Sequence, residues 1–131
     1  MKKVIFKVLP IVFLSIFFAL ASCSNDDENN NSTIKVDLKV IVSGTLSNSP
    51  TLEYRAANGE LVSETLTSPV TWTKTFNVQP GFKLVLKAQG TIEGNISLDA
   101  TAVGDGVDYI GNNAIGFRTP SSFEIEINKN L

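Results

Sequence analysis

The sequence predicts an all-β protein whose strands stack as an antiparallel sandwich. Three observations predict it. Apolar and polar residues alternate with a period of two from residue 33 almost to the end. Clusters of Gly, Pro, Asn and Asp punctuate that alternation at short intervals. No 3.6-residue apolar period follows residue 33.

Taken in order, Ile34, Val36, Leu38, Val40 and Val42 form one face of an opening strand, opposed by Lys35, Asp37 and Lys39. Gly44 to Pro50 interrupts the pattern. Leu52, Tyr54 and Ala56 then alternate with Thr51, Glu53 and Arg55, and Asn58-Gly59 supplies the turn of a tight hairpin. Glu60 to Leu66 returns as a less regular strand. Val70, Trp72, Phe76 and Val78 share one side of the next strand, against Thr71, Thr73, Thr75 and Asn77. Lys74 falls on the apolar side, which fits a place at the sheet rim or beside a bulge, with its stem packed and its ammonium in water. After Gln79-Pro80-Gly81, the residues Phe82, Leu84, Leu86 and Ala88 continue the alternation, and Ile96, Leu98, Ala100 and Ala102 repeat it. Gly104-Asp105-Gly106 reads as a turn, 107–110 as a short strand and 111–116 as a loop. Phe123, Ile125 and Ile127, opposite Glu124 and Glu126, make the last strand. Seven or eight short strands result.

A different segment precedes this domain. Lys2, Lys3 and Lys7 lead into 14 residues, Val8 to Ala21, that are apolar apart from Pro10 and Ser15. As a helix such a run is about 21 Å long, short for a hydrocarbon core of about 30 Å and suited to a signal-peptide h-region. Leu20-Ala21-Ser22-Cys23 closes it. These residues resemble the lipobox of bacterial lipoproteins. The resemblance implies diacylglycerol on the Cys23 thiol, cleavage before it and acylation, typically with palmitate, of the new amine. Several acyl chains anchor stably where one holds marginally. The alternatives are an ordinary signal peptide cut near Ala21 and an uncleaved signal anchor.

Ser24, Asn25, Asp26, Asp27, Glu28 and the asparagines that follow contain no apolar residue, so they read as a tether rather than as packed structure. Ser24, Asp26, Asp27 and Glu28 also resemble the surface-export signal of Bacteroidota lipoproteins. That implies the cell outer membrane with the domain facing outward, the alternative being a periplasm-facing domain. The expected organisation is a cleaved signal peptide over 1–22, a lipidated cysteine and tether over 23–32, and a β domain over 33–131.

Composition narrows the function classes. Without residues 1–22 the chain carries eight basic and 13 acidic residues, a charge of −5, with no basic run. That argues against nucleic acid as a partner. No histidine occurs, which removes histidine triads, histidine metal ligands and the usual near-neutral proton shuttle. The one cysteine is committed to the lipobox. Neither a cofactor nor a metal is expected, and the chain is not expected to be an enzyme.

The order of strands and turns resembles a family, on the residues Val36 to Val42 into Ser43-Gly44, Leu52-Glu53-Tyr54 with Asn58-Gly59, and Val70-Thr71-Trp72-Thr73-Lys74-Thr75-Phe76. Pro80-Gly81, Leu84-Val85-Leu86-Lys87-Ala88-Gln89 and Gly94 to Val103 extend the likeness. It is similar to the extracytoplasmic domain of the mycobacterial small membrane protein (MmpS) family and to small immunoglobulin-like Bacteroidota lipoproteins. The resemblance implies an immunoglobulin-like antiparallel β-sandwich. The paired cysteines of the mycobacterial members are missing here, and a lipobox stands in place of their transmembrane helix.

Within the domain, few residues invite chemistry. Glu124 and Glu126 share a strand face, about 6.5 to 7 Å apart along the chain, and read as a solvated outer face rather than a carboxylate pair. Asp105-Gly106-Val107-Asp108 lacks the further oxygen ligands of a calcium loop and reads as a hairpin turn. Trp72, Tyr54 and Tyr109 are the candidate residues for an aromatic ligand platform, with core burial of Trp72 as the competing reading. The leading expectation is a lipid-anchored module, held to the membrane by Cys23, that binds an envelope protein through an exposed strand edge. A carbohydrate-binding accessory lipoprotein is the alternative.

Overall fold

A computed structural model describes residues 32–131, apart from Pro69 and the side chain of Ser49. The expected signal peptide, the expected lipobox Leu20, Ala21, Ser22 and Cys23, and the expected tether with Ser24, Asp26, Asp27 and Glu28 lie outside the described residues.

The described chain is all-β and forms one antiparallel sheet of five strands. These are β1 (Ile34–Arg55), β2 (Leu61–Thr65), β3 (Val70–Val78), β4 (Lys83–Gly104) and β5 (Val107–Asn130). The sheet order is β2-β1-β4-β5, and β3 pairs with the same edge of β1 as β2 does, farther along the strand.

The seven or eight segments expected from the sequence become five strands because three of them run through their own interruptions. Gly44 to Pro50 is a bend inside β1, where the register against β4 shifts between Ser47 and Thr51. The stretch 111–116, read as a loop, is paired strand: Gly111 lies opposite Ala100 and Gly116 opposite Asn95. Backbone hydrogen bonds do not need apolar side chains, and the glycines and asparagines there hid an alternation that persists through Tyr109, Ile115 and Phe117. A second register shift, at Ile92/Gly94 of β4, leaves Arg118, Thr119 and Pro120 as the corresponding bend of β5.

Gly44 and Gly94 face each other at the bend. Their φ angles are 132° and 127°, in the region that side-chain-bearing residues avoid. A Cβ on either would stand 2.7 Å from the partner's Cα and closer still to a carbonyl oxygen. The two backbones can cross so tightly only because both residues are glycine.

Past this bend the sheet curls over its own inner face. One half holds β3 with residues 34–44, 94–104 and 107–117; the other holds β2 with 51–55, 83–92 and 121–130. The inner residues of both halves make one core, including Ile34, Val36, Val40, Leu52, Leu86, Ile92 and Leu98, each fully or almost fully buried. At about 25 cal/mol per Å² of apolar surface, burial of this kind is the main stabilising term.

The turns obey their residues. Gly104 pairs with Val107, so Asp105 (φ 48°) and Gly106 (φ 77°) form a two-residue hairpin turn with both central residues left-handed. The Asn58-Gly59 connection is longer than the tight hairpin expected. The Ala56 carbonyl accepts from the Gly59 amide, and the Ala56 amide donates to Glu60, which makes a β-turn followed by a bulge. At the other end, Leu131 exchanges backbone hydrogen bonds with Gly81 and Phe82 and seals the β3–β4 turn.

Candidate functional site

A single curled sheet presents edges, and each edge has unpaired backbone groups that another strand can use. The three outer edges of this sheet differ in how they are guarded.

The β3 edge carries Lys74 in the middle of its inner-facing row, between Trp72 and Phe76. An inward-pointing charge is a recognised obstacle to strand addition, because pairing would trap the ammonium. Lys74 is exposed at the rim, as its position in the alternation suggested, and its Nζ stands 5.6 Å from the centre of the Tyr54 ring. The β2 edge is only five residues long and ends beside Glu60 and Glu64. Short length and charge both discourage pairing.

β5 is the long unguarded edge. Its first half, Tyr109 to Phe117, contains nine residues with neither a charge nor a proline. Asp108 and Arg118 bracket it, both exposed. On its outer face Ile110 is 78 % exposed and Val103, diagonally across on β4, is 56 % exposed. An open depression of about 340 Å³ lies on the outer face across β1, β4 and β5, lined by Ile41, Ser43, Asn95, Ser97, Ala114 and Gly116. In the second half of β5, Glu124, Glu126 and Lys129 restore the charge.

Two polar contacts fasten the curled halves together. At the β2/β3 side, the Glu64 carboxylate accepts from Tyr54 OH (3.0 Å) and from Trp72 Nε1 (3.0 Å). At the β5 side, Asn113 Nδ2 donates to the Glu126 carbonyl oxygen at 3.2 Å. That second contact ties the first half of β5 over the backbone of its own second half.

The aromatic candidates divide. Tyr54 and Trp72 pack together, with ring centres 5.1 Å apart and planes tilted by 53°. Tyr54 is only 3 % exposed, however, and Trp72 is half-buried against the core with its indole N–H turned to Glu64. Tyr109 is not brought to them. It lies on β5, in the row of Ala102, Val36 and Phe76, with the widths of β4 and β1 separating it from β3. Three strand spacings amount to about 14 Å. Its ring instead receives the Lys129 ammonium at 5.6 Å.

The acidic residues sit as a solvated surface does. Glu124 pairs with Lys87 at 2.9 Å, and this partner, helped by Glu126 and Glu53, raises the Lys87 ammonium above its ordinary 10.5. Asn128 Nδ2 donates to Glu126 Oε1 at 3.1 Å. Asp105 and Asp108 occupy the β4–β5 hairpin, and among the described residues no three acidic side chains converge as metal ligands. On the opposite face of the core, Asp37 accepts from Thr75 Oγ1 at 2.5 Å and meets Lys35 Nζ at 3.1 Å, which together lower its carboxyl below the ordinary 3.8.

Sequence reasoning pointed to a strand edge without saying which. The signal that distinguishes them was present in the spacing of charges, with Lys74 inside the β3 pattern and none between Asp108 and Arg118. It became readable only once 111–116 was known to be strand. No protein-family model matches the chain, and no curated protein matches it.

Proposed function

We propose that this chain is a non-enzymatic, lipid-anchored module of the bacterial cell envelope that binds a protein partner by strand addition at the first half of β5. The reading joins two supports. The Leu20-Ala21-Ser22-Cys23 lipobox and the acidic residues behind it argue for an acylated protein of the outer membrane, carried outward on a tether. The observation that carries the binding mode is the contrast among edges: β3 bears an inward lysine, β2 is short, and Tyr109 to Phe117 bears no charge. Main-chain hydrogen bonds along such an edge supply affinity, and the side-chain rows beside it supply selectivity.

The sandwich architecture belongs to the same reading. Counted on either side of their bends, the three long strands give six segments, which with β2 and β3 make two four-stranded layers of an immunoglobulin-like domain. The likeness to the small membrane protein family and to immunoglobulin-like lipoproteins is an inference of the same kind. Binding of glycans is the alternative, and the buried Tyr54 and distant Tyr109 leave it resting on Trp72 alone.

The test is site-specific photo-crosslinking in intact cells, with the reactive residue at Asn112 on β5 or at Thr73 on β3. Protein adducts from position 112 in clear excess over position 73 support the reading. Equal yields, or none from 112 across growth conditions, overturn it.

A further inference from the structure

The geometry points to a second copy of this chain as the occupant of the β5 edge, joined to it antiparallel about a two-fold axis at Asn113. This rests on the strand-addition reading above and names its partner.

An isologous contact requires a surface that complements itself. For an antiparallel strand pair centred on residue 113, each residue lies opposite the one equally far on the other side of the centre. Directly opposed residues of an antiparallel pair point to the same face of the sheet. Under this pairing Asp108 of one copy faces Arg118 of the other, twice over by symmetry. Both are exposed, Asp108 in the outer row and Arg118 directly after Phe117, the last paired residue of this half, and neither takes part in an ion pair among the described residues. Opposite charges placed across a strand pair stabilise it, whereas a slip of the register by two residues separates them.

The residues between agree with the same centre. Ile110, the most exposed large apolar side chain, comes opposite Gly116, where there is no side chain to obstruct it. Tyr109 comes opposite Phe117 on the inner face, an aromatic pair at a cross-strand position. Asn112 comes opposite Ala114, and its amide is already held by Asp99 Oδ1 on β4. No like charges meet anywhere along the edge, since Tyr109 to Phe117 has none. The chain therefore carries, in one strand, both halves of a complementary contact. The same register lays each Ile110 beside the partner copy's Gly116 without a clash, and the half of the sheet holding β3, β1, β4 and β5 becomes one continuous sheet with its copy.

The experiment uses the full chain, purified from membranes in detergent, with sedimentation velocity reading the monomer–dimer equilibrium. The wild type is expected to dimerise. Asp108→Arg places Arg opposite Arg, and Arg118→Asp places Asp opposite Asp. Each is expected to weaken the dimer roughly tenfold, because two rim pairs turn from attraction to repulsion. The double variant Asp108→Arg/Arg118→Asp restores opposite charges and is expected to return to within about threefold of wild type. A wild-type chain that stays monomeric to about 0.1 mM, or a double variant no stronger than the singles, overturns the inference. The photo-crosslink at Asn112 separates the two levels. Adducts of twice the chain mass accord with both, adducts with a different protein alone overturn the self-pairing and leave the strand-addition reading standing, and no adduct overturns both.

Discussion

Glu64 is the side chain whose removal should matter most for so small a change. It projects from β2 on the inner side of one half of the curled sheet and takes hydrogen bonds from Tyr54, in its own half, and from Trp72, in the other. In Glu64→Ala both donors lose their acceptor. Hydrogen bonds to a charged group contribute about 1.5 to 3 kcal/mol when well buried. Glu64 is half-buried, and water reaches part of the cluster, so about 1 to 1.5 kcal/mol for each is the appropriate scale. The loss is then about 2 to 3 kcal/mol, or roughly 10 to 20 °C in Tm for a domain of this size. Glu64→Gln keeps one carbonyl acceptor and should lose about half as much. Trp72 is the sole tryptophan, so urea unfolding followed by its fluorescence reports both stability and the environment of the ring. A double-mutant cycle with Trp72→Phe, which keeps an aromatic ring but has no N–H and no indole fluorescence, is followed by far-UV circular dichroism in all four chains and should give a coupling of about 1 kcal/mol. A Glu64→Ala loss under about 0.5 kcal/mol with no coupling would refute the view that this carboxylate fastens the two halves.

Three further outcomes are expected. Gly44→Ala should cost more than about 3 kcal/mol or prevent folding, since its Cβ meets backbone at 2.7 Å, whereas Gly106→Ala, which meets nothing within 4 Å, should cost about 1 to 2 kcal/mol of left-handed strain; chemical denaturation distinguishes them. The Asp37 carboxyl should titrate below 3.8 by NMR and move back toward it in Thr75→Val. Because the folded form holds that proton less tightly than the unfolded one, its contribution to stability is complete above 3.8 and disappears as pH falls through the lowered value. Finally, mass spectrometry of the native chain should find residues 1–22 removed and acyl chains on Cys23, and a free thiol there would contradict the anchor.

Much of the fold was legible because period-two alternation is a direct image of a half-buried sheet. Ile34 to Val42, Leu84 to Ala88 and Phe123 to Ile127 all face the core as that alternation requires. Strand continuity was not legible, since a bend such as Gly44 to Pro50 has the composition of a loop while its flanks remain paired to one neighbour, β4. The same limit concealed 111–116, where small residues leave the core-facing row without bulk. Val85 is buried although it shares its row with Lys83 and Lys87, and nothing in the local pattern marks it. The Glu64 cluster joins β2 to β3 across the curl, a proximity set by tertiary closure alone. Lys74, by contrast, stood out in the sequence as a misfit, and it is the residue that separates a guarded edge from an open one.

The most direct measurement of the central claim is the yield of crosslinked protein from position 112 in cells carrying Ile110→Lys, compared with Thr71→Lys on the outer row of β3. A lysine on the β5 edge supplies the guard that edge lacks, at an exposed site where little stability is lost. The account predicts that Ile110→Lys sharply reduces the adduct while Thr71→Lys leaves it intact. Undiminished capture with Ile110→Lys, or equal loss in both variants, would contradict it.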